Sequence, residues 1–381
     1  MIFDKLFQLM AEKQASDLYV SAGTPIHMKV EGITVPVNQQ VMEPGMIRKM
    51  AEELLTPEQF ARFDSEREFN TSCGSSELGN FRINLFWQRH SIAIVVRYIP
   101  TNIPTIETLG LPATLADVVL EKNGLVLVVG STGSGKSTTL ASMVEHRNQN
   151  RTGHILTVED PIEFLFQHGK SVVNQREIGV DTRDWGEALR NAMRQAPDCI
   201  LIGEIRDRET MQAALAYSQT GHLCLGTLHA NNAYHALNRI VNFFPLDNRS
   251  LLHLDLAVAL RCIVSQRLVR GPNGERMPAV EVLMNSRHIA ELIETGDFNA
   301  VKEAMEQSLS PGSQTFEQDL YRMYRNQSIT LNEALNNADS ATNLHWIINN
   351  SDSRTEPRKA SARTTASETS FRNFALNTGD S

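Results

Sequence analysis

Cysteine is scarce in this chain: there are four, Cys73, Cys199, Cys224 and Cys262, and no CxxC pair among them. That scatter suggests neither a disulfide framework nor a zinc knuckle, and the four read as reduced, mostly buried thiols of a cytoplasmic protein. Long apolar runs are missing too. No stretch nears the roughly 18 consecutive apolar residues that a membrane-spanning helix needs. The opening stretch MIFDKLFQLMAEK spaces Ile2, Phe3, Leu6, Phe7 and Leu9 as on a helix, but Asp4 and Glu12 interrupt any signal-peptide core. A helix packed on its own domain is expected there. Positive charge is in deficit: 36 Lys and Arg against 44 Asp and Glu leave a formal charge of −8. That balance counts against a nucleic-acid surface and leaves room only for a local basic patch.

What is there, at 41% hydrophobic and 21% charged residues, is the composition of a soluble globular protein. A length of 381 residues exceeds one ordinary core, so two domains and a tail are expected, and no internal repeat is visible. The texture changes along the chain. Residues 1–100 alternate short apolar runs (DLYVSAG, HMKVEGITVPV, FRINLFWQ, SIAIVVRYI) with Gly, Pro and Asn turns, as in a small mixed α/β domain. The Thr- and Pro-rich stretch at 101–115 reads as a linker. Over 116–350, short fully apolar strands alternate with helical patterns, which implies a parallel sheet covered on both faces. Residues 351–381 are rich in Ser and Thr and too poor in apolar side chains to order themselves, so a flexible polar tail is expected.

The strongest chemical signal is GLVLVVGSTGSGKSTTLASMV. An apolar strand, Leu125 to Val129, runs into Gly130, Ser131, Thr132, Gly133, Ser134, Gly135, Lys136, Ser137 and Thr138, the G-x-x-x-x-G-K-S pattern of a phosphate-binding loop opening a helix. Glycines let backbone N–H groups converge on phosphate oxygens, and the helix N-terminus adds its partial positive charge. Lys136 reaches the terminal phosphates and Ser137 is placed to ligate Mg²⁺. A nucleoside triphosphate is the expected ligand.

Two acidic segments follow. DCILIGEIRD sets Asp198 and Glu204 around a buried strand, where a P-loop protein keeps the carboxylate that orients the magnesium shell. ILTVEDPIEF ends another apolar strand in Glu159, Asp160 and Glu163. Parallel strands present their carboxyl ends to one crevice, so these carboxylates are expected to converge on one γ-phosphate. The segment TGHLCLGTLHANNA adds His222 and His229, which on their own read equally as metal ligands, catalytic bases or buried structural histidines.

In that order and spacing, the P-loop, EDPIE, LIGEIRD and TGHLCLGTLHANNA resemble the secretion ATPases of type II secretion and type IV pili, whose motifs are called Walker A, Asp box, Walker B and His box. The resemblance covers about residues 1 to 345. It implies an α/β chain with a PAS-like N-terminal domain and a RecA-like P-loop ATPase domain, assembled as a homo-hexamer that hydrolyses ATP with Mg²⁺. It also implies that His222 and His229 lie near the nucleotide and couple its γ-phosphate to movement. Glu163 would position the attacking water. Glu204 would act through the water around Mg²⁺. Arg82 and Arg97 would neutralise charge alongside Lys136, although each also reads as a solvated strand-face charge.

ASDLYVSAG and the lack of a tetracysteine segment resemble the PilT- and PilU-type retraction motors rather than the assembly ATPases. His288 to Thr295 read HIAELIET where PilT proteins carry AIRNLIRE, so Ala290 and Glu294 stand in place of two arginines, as in the PilU type. Function then follows the resemblance: an ATPase of pilus retraction at the cytoplasmic face of the inner membrane. Its partners would be a PilT-type ring and the inner-membrane platform protein, with no nucleic acid. A pilus-assembly or type II secretion ATPase is the alternative. So is a DNA-translocating P-loop motor, which should carry a basic channel.

Overall fold

A computed structural model describes residues 2–30, 32–75, 79–99, 102–307 and 312–352. The chain is α/β, as expected, and carries two sheets. The first holds β1 (Asp17–Val20), β2 (His27–Val30), β3 (Ile33–Pro36), β4 (Glu68–Ser75), β5 (Gly79–Gln88) and β6 (Ser91–Ile99), in the order β3-β2-β1-β6-β5-β4 with antiparallel pairing throughout. Along β5 the period-2 alternation buries Phe81, Ile83 and Leu85 and turns Asn80, Arg82 and Asn84 to the other face. The N-terminal helix Ile2–Lys13 packs its Phe3, Leu6, Phe7 and Met10 against this core, with Phe7 stacked on Phe81 at 4.1 Å between ring centroids.

The second sheet holds β7 (Gly124–Val129), β8 (Gly153–Glu159), β9 (Ser171–Glu177), β10 (Cys199–Ile202), β11 (Leu223–Leu228), β12 (Leu260–Arg270) and β13 (Arg276–Met284), in the order β13-β12-β7-β11-β10-β8-β9. Every pair is parallel except β12 with β13, a hairpin that adds one antiparallel strand to the expected parallel sheet. Both faces are covered. Leu125, Leu127 and Val129 of β7 join one core with the helices Trp185–Ala192, Arg208–Gln219 and Ala233–Asn242, while Val126 and Val128 join the opposite core with the helix Lys136–Asn150. A strand buried on both sides has no polar face to show, which is why β7 is apolar without alternation. Within the stretch 101–115, Ile106 and Leu111 are buried in that second core.

A third, smaller layer closes the molecule. Phe316, Leu320, Ile329, Ala334, Leu344 and Ile348 pack on Val269 and Ala279 of the β12–β13 hairpin. Arg267 lies over the Phe316 ring at 4.0 Å and is ion-paired with Asp339. The last helix, Ala341–Asp352, includes the first two residues of the expected tail, and the remainder of 351–381 lies outside the described residues. In the helix Arg287–Thr295, Ala290 is partly buried against the main core and only Glu294 faces solvent, so one of the two charge differences from the PilT pattern is not on the open surface. No helix among the described residues is long and apolar enough to cross a membrane.

Candidate functional site

Because β7, β8, β10 and β11 run parallel, their carboxyl ends deliver four loops to one edge of the sheet, where a cleft of about 510 Å³ opens. Thr132, Gly133, Gly135, Lys136, Ser137 and Thr138 line it from the P-loop, and Glu159, Asp160 and Glu163 from the end of β8. Glu204 after β10 and His229 after β11 complete it. The P-loop fold depends on its glycines. Gly135 begins the helix Lys136–Asn150 at φ 88°, and a Cβ on Gly130 would sit 2.6 Å from the backbone oxygen of Gln266. Gln266 on β12, which the motif reading passed over, clamps the loop: its Nε2 donates to the Ser134 carbonyl at 2.8 Å and its Oε1 accepts from Thr139 at 2.6 Å. The Ser134 hydroxyl is buried without a hydrogen-bond partner.

Lys136 is buried, and its ammonium donates to the carbonyls of Gly130 at 3.1 Å and Ser131 at 2.9 Å. Burial pulls its pKa below the ordinary lysine value, while the carboxylates of Glu204 and Glu163 work in the opposite direction. A cation held this way, beside backbone N–H groups at a helix start, is a seat for phosphate oxygens. Ser137 and the carboxylates of Glu204 and Glu163 line the same cleft with hard oxygen donors, the kind that Mg²⁺ takes together with substrate phosphates.

Glu204 and His229 meet across adjacent strand ends, with His229 Nε2 3.5 Å from Glu204 Oε1. Below them the Thr227 hydroxyl donates to the Gly203 carbonyl at 2.5 Å and ties the two ends together. Glu159, expected from the sequence among the carboxylates that converge on the γ-phosphate, lines the cleft but is itself buried. It accepts from the Thr157 hydroxyl at 2.6 Å and from Gln175 at 3.2 Å. Burial pushes its carboxyl up to about 7, and the nearby Glu163 charge adds to the rise against those donors. Its position at the end of β8 was readable, but its burial depends on tertiary packing and was not.

The structure does not bring His222 to the cleft. It precedes β11, and its carbonyl accepts from Gly124 at the start of β7, whereas His229 follows the end of the same six-residue strand. A strand of that length separates its ends by roughly 20 Å. His222 Nδ1 instead lies 3.2 Å from the Tyr217 carbonyl. Asp198 shares that far edge and accepts from the His154 N–H at 2.8 Å.

Of the two arginines, which face each other directly across β5 and β6, Arg97 pairs with Asp17 at 3.0 Å inside the first sheet and stays largely exposed. Arg82 reaches out of that sheet to Glu177 at the end of β9, with Nη2 to Oε2 at 2.6 Å.

A family model described as Type II/IV secretion system protein matches residues 1–343. The chain belongs to that family. Within the type II/IV secretion system protein family it is 46% identical over 349 residues to the type IV pilus ATPase PilU of Pseudomonas aeruginosa, covering 91% of each chain. It is 37% identical over 313 residues to the type IV pilus retraction ATPase PilT of the same organism, covering 82% of this chain and 91% of that one. Its fold is similar to the crystal structure of the pilus retraction motor PilT with bound ADP, at a TM-score of 0.83 and 37% identity over 90% of this chain and 98% of the other. These similarities put it in the PilT/PilU group that the motifs resembled.

Proposed function

We propose that this chain couples ATP hydrolysis in the cleft to retraction of a type IV pilus, as a ring of six acting beside a PilT-type motor. The hydrolysis itself is the activity of its family. The observation that carries the reading is the convergence of Lys136, Ser137, Glu163, Glu204 and His229 on one cleft at the carboxyl edge of the sheet. The P-loop amides and Lys136 hold the β- and γ-phosphates. The Glu163 carboxylate orients a water for in-line attack and takes its proton. Glu204, in contact with His229, orients the outer side of the site. Mg²⁺, bound by Ser137 and through water by Glu204, would neutralise phosphate charge as the bond breaks. Arg82 and Arg97 supply positive charge from the N-terminal sheet, so loss of the γ-phosphate releases that sheet from the nucleotide.

The resulting domain movement would act on the pilus platform protein at the inner membrane. The exposed Glu294 favours an accessory role, because a PilT-type partner would then supply the contact that an arginine at this position would make. The test is retraction in cells. Lys136→Ala should abolish ATP turnover in the purified protein and remove this chain's contribution to retraction force. With the PilT-type partner deleted and this chain at normal level, retraction should be weak or absent. Robust retraction without the partner would refute the accessory role, and unchanged turnover in Lys136→Ala would refute the site.

A further inference from the structure

Arg82 crosses from one sheet to the other and ends on a carboxylate that serves a second purpose. Glu177 Oε2 accepts from Arg82 Nη2 at 2.6 Å and from the backbone N–H of Ile162 at 3.1 Å. Ile162 lies between Pro161 and Glu163, both of which line the cleft. Glu177 is itself fixed: it ends β9 in register with Glu159, and its N–H donates to Asp181 Oδ2 at 2.9 Å. One oxygen therefore holds both the arginine that the N-terminal sheet offers to the nucleotide and the loop that carries the water-orienting glutamate. Both members of the ion pair are only about one-fifth exposed, 20% and 19%, so the pair is partly desolvated and not a loose surface contact.

We propose that Glu177 is a positioning residue that works as a latch: it keeps Arg82 on the Glu163 loop until the γ-phosphate of ATP competes for the guanidinium. Carboxylate and phosphate oxygens accept from the same planar fork of donors, and the phosphate carries more charge, so the transfer is a competition between like partners. ADP offers no γ-phosphate and leaves the latch closed. ATP opens it, and Arg82 then draws the N-terminal sheet toward the cleft while Ile162 stays on Glu177. The closed latch lowers apparent ATP affinity, because the binding-competent arrangement must first be released. This inference rests on the ATPase reading above and adds to it a residue that none of the sequence motifs contains.

The test measures equilibrium binding of the full chain to AMP-PNP and to ADP, in wild type, Glu177→Gln, Arg82→Ala and the double variant. Gln is isosteric, still accepts from Ile162 and removes only the charge. A partly exposed ion pair is worth about fivefold in an equilibrium, so Glu177→Gln should raise the preference for AMP-PNP over ADP by about that factor and lower KM for ATP without raising kcat. In the Arg82→Ala background the same change should leave the preference unmoved. An unchanged ratio in Glu177→Gln, or an equal shift with and without Arg82, overturns the latch. Failure of the ATPase reading would look different: wild type would bind neither nucleotide in a way that Lys136→Ala abolishes.

Discussion

Glu281 on β13 is buried beneath the first turn of the helix Ala233–Asn242, where it accepts from the Ala233 N–H at 2.7 Å and from the Ser265 hydroxyl at 2.9 Å. Desolvation pushes its carboxyl up to about 7, the charges of Asp339 and Glu317 push the same way, and the two donors oppose them. The folded value lies above the ordinary carboxyl value of 4.5, so folding favours the protonated acid. The stability held in that proton is complete below the unfolded value and is lost as pH rises through about 7. Glu281→Gln supplies a permanently neutral group of the same shape. A displacement of about 2.5 pKa units at 1.36 kcal/mol each sets a ceiling of about 3 kcal/mol. Between about pH 5 and about pH 8.5, Glu281→Gln should therefore gain about 2 to 3 kcal/mol relative to wild type. Urea unfolding followed by tryptophan fluorescence at both pH values measures this. A constant difference between the two proteins across that range would show that Glu281 folds in its ionised form and would refute the argument.

The cleft yields two more outcomes. Glu163→Gln should keep ATP affinity within a few-fold while slowing single-turnover hydrolysis by about 100-fold or more, since the amide keeps the shape and cannot take a proton; equal losses in binding and turnover would shift that role to Glu204. Gly130→Ala should cost nucleotide affinity with little loss of secondary structure, because its Cβ would meet the Gln266 backbone oxygen at 2.6 Å and displace the loop, and titration with fluorescent ADP alongside circular dichroism checks both halves.

The P-loop was readable because its information is local: glycine spacing, lysine and strand-to-helix context all lie within a few residues of Gly130. The doubly covered sheet was readable for a similar reason, since β7 is apolar at every position and β11 at every position but Thr227. His222 was misplaced because closeness in a motif is not closeness in space: six strand residues carry a chain from one edge of a sheet to the other. Gln266 and Glu177 gave no signal, as each acts on an element far away in sequence, Gln266 on Ser134 and Glu177 on Arg82. Only the order of strands in the sheet brings them there. The antiparallel β13 was hidden because RMPAVEVLM reads like any other buried strand, and its direction is set by the short turn before it.

The layer formed by the last helices also fixes where this protein can be cut or joined to another. Asp339 accepts from Asn232, which caps the helix after the His229 turn, at 2.6 Å, and it also neutralises Arg267, whose guanidinium reaches the Asn337 carbonyl. A chain ending before Asp339 would leave that arginine partly buried with no carboxylate and the Asn232 amide without its acceptor, three residues from His229. Residues that look like a dispensable C-terminal appendage thus belong to the packed unit that holds the turn after His229. A fusion partner or truncation point belongs beyond Asp352, where the last described helix ends.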